Sequence, residues 1–177
     1  LGSGRGDLRA EPCNLADCVD EAVHLLSLDH DARPVRFHNH CDRELLVLGD
    51  SQRLLQVFIN LLGNARDASP PDGAITVSAE RRDSDDVFIY IDDRGHGIPA
   101  NLQQRIMEPF FTTKDVGQGT GLGLPLVYSI IEDMGGGMRL ESPGPAASAS
   151  GTRVTLQLRP AQYAQPASLA GMAPATP

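Results

Sequence analysis

DSQRLLQVFINLLGNARDAS, residues 50–69, carries two patterns at once. At 100° per residue, Leu54, Leu55, Val57, Phe58, Leu61, Leu62, Ala65 and Ala68 fill one broad apolar face, as in a helix packed on a core. Arg53, Gln56, Asn60, Asn64 and Asp67 form a narrow polar stripe opposite part of that face. Asparagine is a mediocre helix former, yet two of them stand at i and i+4 and point the same way. An amide carbonyl oxygen is neutral, which suits a hard cation whose charge phosphate already balances. A solvated polar face has the same pattern, so the stripe alone leaves both readings open.

The segments on either side alternate in period. Leu15, Val19, Ala22, Val23 and Leu26 recur at helical spacing behind Asn14, a natural cap. PVRFHNH (34–40) and LLVLGD (45–50) read as strands, and Pro70, Pro71, Asp72 and Gly73 stop the helix that follows them. AITVSAE (74–80) and VFIYIDD (87–93) read as strands joined by a polar hairpin, and GMRLES (137–142) and TRVTLQL (152–158) as a closing pair. A long glycine-bearing segment runs from Arg94 to about Thr120, and residues 121–134 return to helical spacing. Pro125 lacks an N–H and is comfortable only in a first turn, so this helix is expected to start near Gly121 or Leu122. Strands and helices are mixed and hairpins are present. The expected fold class is an α/β (α+β) two-layer sandwich, with a mixed, mostly antiparallel sheet and helices on one face, not a doubly wound parallel sheet.

A chain of 177 residues makes one domain with a tail. Residues 1–11 open on the glycine-rich LGSGRGD and read as a linker or cloning remnant; residues 12–160 are the domain. From about Arg159 the composition turns to Ala, Pro, Ser and Gln, and 161–177 is read as a disordered tail. Lys and Arg total 15 against 23 Asp and Glu, a net charge of −8, which opposes a nucleic-acid or anionic-membrane surface. Three cysteines cannot close a disulfide framework and favour a reducing compartment. The chain has no apolar run of the ~18 residues a bilayer span needs and no secretory signal at its start, so it is expected to be soluble, with no direct membrane contact.

Two further motifs lie between the helices. In IYIDDRGHGIP (89–99) a strand ends in Asp92 and Asp93, and Gly95 and Gly97 follow. Glycine lets a backbone approach a planar ring, and a carboxylate there can accept from an exocyclic amine; a plain strand exit also favours Asp and Gly. In DVGQGTGLGLPLVYSII (115–131), Gly117, Gly119, Gly121 and Gly123 alternate before a helix. Free N–H groups at a helix start make an anion site, although glycine-rich loops are common and the spacing fits neither usual phosphate-binding pattern.

In this order the three elements resemble the ATP-binding domain of histidine kinases, in the superfamily of gyrase, mismatch-repair ATPases and heat-shock chaperones. Asn60 and Asn64 are similar to its N box, Asp93, Gly95 and Gly97 to its first glycine box, EPFFTTK (108–114) to its phenylalanine box, GQGTGLGL (117–124) to its second glycine box, and SGTRVTLQL (150–158) to its closing Gly-Thr strand. PFFTTK followed by GTGLGL resembles sensor kinases of the nitrogen-regulatory and dicarboxylate-sensing type. The resemblance implies ATP and Mg²⁺ as ligands under a mobile lid over about residues 100–120. Asn64 would coordinate Mg²⁺ with Asn60 assisting. Asp93 would bind the adenine amine, with Gly95, Gly97 and Ile98 packed at the ring and Thr152 joining through water. Gly119, Thr120, Gly121, Leu122, Gly123 and Leu124 would give N–H groups to the phosphates, and Lys114 would meet the terminal one. Two positions depart from the pattern. Asp67 stands where some kinases carry a basic residue, with Arg66 beside it but off the stripe, which shifts charge neutralisation toward Lys114. Met107 replaces a frequent aromatic.

Hydrolysing branches of the superfamily place a Glu base where this chain has Asn60, and an amide cannot take a proton from water at neutral pH. The resemblance therefore implies a protein-histidine kinase, catalytic domain only. None of His24, His30, His38, His40 and His96 lies in a His-Glu/Asp-x-x-x-Pro setting, so the acceptor histidine is expected on an upstream dimerisation domain, with a response regulator downstream. The expected location is cytoplasmic, free or as the cytoplasmic part of an inner-membrane sensor. The rival readings are an ATP-hydrolysing relative, an anti-sigma-type serine kinase and a nucleotide-binding interaction module. His38, His40 and Cys41 fit no structural zinc spacing, and Cys13, Cys18 and Cys41 read as small packing residues.

Overall fold

A computed structural model describes residues 10–82, 85–99, 123–144 and 150–161. Strand β1 (Glu11–Asn14) runs into helix α1 (Leu15–Ser27), followed by β2 (Val35–Asn39), β3 (Leu46–Gly49), α2 (Ser51–Ala68), β4 (Gly73–Arg81), β5 (Val87–Asp93), α3 (Gly123–Asp133), β6 (Gly137–Glu141) and β7 (Thr152–Leu158). The main sheet has the order β2-β4-β5-β7-β6. Only β2 and β4 pair in parallel; the other neighbours are antiparallel. The fold class is the expected two-layer α/β sandwich.

Helix α2 has the boundaries its pattern predicts. Asp50 caps it by accepting from the backbone N–H of Gln52 and Arg53 at 3.1 and 3.3 Å. At the other end the Ser69 hydroxyl donates to the Ala65 carbonyl at 2.7 Å, and Pro70 follows. Its apolar face buries Leu54, Val57, Phe58, Leu61, Leu62 and Ala65. That face lies against β4 and β5, while α3 covers β6 and β7 and α1 covers β2. The opposing strands supply Ile75, Ile89, Ile91, Leu156 and Leu158 to the same core. Asn14 caps α1 as expected, accepting from the N–H of Asp17 at 3.0 Å. Pro125 falls in the first turn of α3, and Gly121 and Leu122 lie outside the described residues. Among the described residues no helix is long and apolar enough to cross a membrane.

Two features differ from the sequence reading. Strand β1 was not expected: it has four residues, too few for alternation to show, and it exists by pairing with β3 from Glu11↔Gly49 to Asn14↔Leu46. The change of composition at Arg159 does not end the ordered chain, which continues through Ala161. The Leu48 N–H donates to the Arg159 carbonyl at 2.9 Å and the Ala161 N–H to the Leu46 carbonyl at 3.2 Å, and Ala161 is buried. These backbone bonds to β3 hold three residues whose own composition carries no strand signal.

Candidate functional site

A cleft opens where the C-terminal half of α2 meets the ends of β5 and β7. Its wall is formed by Leu61, Asn64, Ala65 and Ala68 of α2, Ile91 and Asp93 of β5, and the loop residues His96, Gly97 and Ile98. Leu124, Leu140, Thr152 and Val154 complete it. Asn64, Asp93, Gly97, Ile98, Leu124 and Thr152, spread through the sequence from 64 to 152, are thus brought to one place. Asn60 and Gly95 are not in this wall. Asn60 sits one helical turn before Asn64 and is half-buried. Lys114, Gly119, Thr120, Gly121 and Leu122, with the expected lid and EPFFTTK, lie outside the described residues.

The floor is polar in one spot. Asp93 is 8% exposed and Thr152 7%, and the two face each other in the β5–β7 register. Among the described residues Asp93 is the only buried carboxylate. Its Oδ1 accepts from the Gly95 N–H at 2.9 Å, and the backbone N–H of Thr152 also donates to it. Burial pushes the Asp93 carboxyl above its ordinary pKa; these two N–H groups and nearby His96 pull the other way without reversing it. A buried acid beside apolar walls, satisfied by backbone alone, has lone pairs left for a donor that arrives in the cleft.

The two glycines after Asp93 do different work. A Cβ on Gly95 would stand 2.2 Å from the Ala68 carbonyl oxygen, so only glycine lets the loop lie on the end of α2. The His96 N–H then donates to that same carbonyl at 3.1 Å. Gly97 has φ +75°, a left-handed conformation that other residues resist, and a Cβ there would be 2.9 Å from Ser142 Oγ. Gly123, the first residue of α3, is also close to the site: its Cβ would be 3.5 Å from Asn64 Nδ2. The start of α3 therefore lies over the Asn64 amide.

Sequence reasoning missed Ser142. Its hydroxyl accepts from the Ile98 N–H at 2.8 Å and donates to the Gly151 carbonyl at 2.9 Å. It follows the last residue of β6, and a lone serine before a proline carries no spacing signal. Leu61, Leu140 and Val154 were read as helix or strand residues only, and an apolar residue facing a cleft looks like core in sequence. Arg66 is turned away: its Nη1 donates to the Leu26 carbonyl at 3.0 Å, and its Nη2 is 4.0 Å from Asp29 Oδ2. His38 of β2 and His40 just past its end are both exposed, with ring centroids 6.1 Å apart. Among the described residues no three His, Cys, Asp or Glu side chains are grouped to hold a metal ion.

Residues 49–162 match the family described as "Histidine kinase-, DNA gyrase B-, and HSP90-like ATPase". The chain is 38% identical over 149 residues to the sensor kinase CckA of Brucella abortus, covering 76% of this chain and 16% of that protein. It is 37% identical over 136 residues to the sensor histidine kinase ZraS of Salmonella typhi, covering 76% of this chain and 29% of that one. It therefore spans under a third of the length of these relatives. Among solved structures it resembles the mycobacterial sensor histidine kinase MprB, with a TM-score of 0.74 at 29% identity over 86% of this chain and 99% of that one. The catalytic domain of histidine kinase ThkA aligns with a TM-score of 0.70 at 30% identity, over 85% and 95% of the two chains. By the family match and by near-complete overlap with solved catalytic domains, the chain belongs to the histidine kinase-, DNA gyrase B- and HSP90-like ATPases and matches the sensor-histidine-kinase catalytic domains among them.

Proposed function

We propose that this chain holds Mg-ATP and delivers the terminal phosphoryl group to a histidine on a separate dimerisation domain, as the catalytic part of a cytoplasmic two-component signalling kinase. The observation that carries the proposal is the buried Asp93 carboxylate at the floor of an apolar cleft with the neutral Asn64 amide in its wall. A flat, mostly apolar heterocycle with one exocyclic amine fits that floor, since Asp93 accepts and Ile91, Ile98, Leu140 and Val154 exclude water. Gly95 and Gly97 hold the loop at the ring, and Thr152 joins the same hydrogen-bond network through water. The neutral amides of Asn64 and Asn60 suit Mg²⁺ on phosphate, where the ion supplies charge neutralisation. Gly119, Thr120, Gly121, Leu122, Gly123 and Leu124 give backbone N–H groups to the phosphates, and Lys114 supplies the cation. Because Arg66 is committed to α1, no described basic residue beside Asn64 shares that load.

Asn60 separates transfer from hydrolysis. It cannot activate water, so bound ATP persists until the imidazole of the acceptor histidine attacks the terminal phosphorus and ADP leaves. A response regulator then receives the phosphoryl group. Isothermal titration and a phosphate-release assay test the proposal. ATP and ADP are expected to bind with Mg²⁺ while the isolated chain releases phosphate very slowly. Sustained rapid release would overturn it.

A further inference from the structure

We propose that Ser142 is a positioning residue for the adenine end of the cleft, its hydroxyl clasping the loop after Asp93 to the start of β7. The inference rests on the ATP-binding reading above and deepens it. A hydroxyl has one donor and two acceptor positions. All three are used here: Ser142 Oγ donates to the Gly151 carbonyl at 2.9 Å, accepts from the Ile98 N–H at 2.8 Å, and lies 3.4 Å from the Thr152 hydroxyl. The residues it joins come from 44 positions before it and nine or ten after it.

Ser142 is not itself in the cleft wall, but Ile98, Gly97 and Thr152 are. The hydroxyl fills the space where a side chain at Gly97 would go, since a Cβ there would be 2.9 Å from it. The clasp therefore sets the distance between the loop that closes one side of the cleft and the strand that carries Thr152 opposite Asp93. Without the hydroxyl, the Ile98 N–H loses this acceptor and the loop is free to settle away from β7. The core of the sheet does not depend on it, because Ser142 lies beyond the last residue of β6.

The test is titration of the chain with ADP and with adenosine in Mg²⁺, together with hydrogen exchange at the Ile98 amide. In the unaltered, nucleotide-free chain that amide is expected to be protected. Ser142→Ala is expected to remove the protection and to weaken ADP and adenosine by the same factor, about tenfold, as one lost hydrogen bond to a part-buried N–H does. The melting temperature should move little, and Ser142→Thr, which keeps the hydroxyl, should recover most of the affinity. Equal affinity of Ser142→Ala and the unaltered chain overturns the clasp while leaving ATP binding intact, and so does a Ser142→Thr variant as weak as Ser142→Ala. An unprotected Ile98 amide overturns it without any variant, should Ser142→Ala fail to fold. An unaltered chain that binds neither ligand removes the ATP reading, and the role of Ser142 with it.

Discussion

Asp92 and Asp93 are consecutive residues of β5, and the pleat turns them to opposite faces of the sheet. Asp92 faces outward and meets a cation. Arg153 Nε and Nη2 donate to its two oxygens at 2.7 and 2.9 Å, and the same guanidinium lies 4.5 Å from the Tyr90 ring centroid. Asp93 faces inward and is held by backbone N–H groups only, in a cleft with apolar walls. One carboxylate is fully committed to fastening β5 to β7. The other is buried, its carboxyl pushed upward by that burial, and among the described side chains only His96 pulls the other way. A fold that buries an acid without a counter-ion carries a cost, and such a site marks function more often than architecture.

The strongest way to break this contrast is to neutralise each acid in turn. Asp93→Asn is expected to weaken ATP by roughly ten- to a hundredfold, the worth of a charge-assisted hydrogen bond of about 1.5–3 kcal/mol. Asp92→Asn should leave affinity within about threefold, since it has no place in the cleft wall. Titration calorimetry with ATP decides; equal losses in both variants would erase the distinction between the two faces.

Next in size is the outer pair. Arg153→Ala leaves Asp92 mostly buried beside Tyr90, with side-chain exposures of 23% and 14% for the two partners. The pair is neither fully exposed nor fully buried, so the expected loss is about 1–2 kcal/mol of folding stability. Urea unfolding should show this with ATP affinity per folded molecule preserved. A variant as stable as the unaltered chain would show that the pair is decorative.

The smallest effect is the pH dependence. The folded pKa of Asp93 lies above its unfolded value, so the folded chain holds this proton more tightly. Its contribution to stability is therefore most favourable below the ordinary carboxylate pKa of 3.8 and declines as pH rises from there through the raised folded value. The stability of the unaltered chain relative to Asp93→Asn should fall across that window and level off above it. A difference that rises with pH would mean that Asp93 is held by more positive charge than His96 and two backbone N–H groups supply.

Much of this architecture was legible because it rests on local rules. The apolar face of α2, its Asp50 and Ser69 boundaries, and the strict alternation of β5 are read from adjacent residues. Strand β1 and the ordered Arg159–Ala161 were not legible, because each is held in place only by its backbone bonds to β3. The site divided the same way. Asn64, Asp93, Gly97, Ile98 and Thr152 were found from motif order, and they do line one cleft. That Asn60 and Gly95 stand outside its wall was not readable from spacing.

By itself the sequence determined the helices and the strands other than β1, the mixed sheet, the family and the residues worth watching, since propensity, period and motif order act over short stretches. Only the tertiary structure decided that Gly95 is required by the Ala68 carbonyl, that Arg66 is spent on α1, and that Ser142 ties Ile98 to Gly151. The physical reason is common to all three. Each depends on a close approach between segments apart in the chain, and such distances are fixed by how α1, α2, β5 and β7 pack together rather than by the residues on either side.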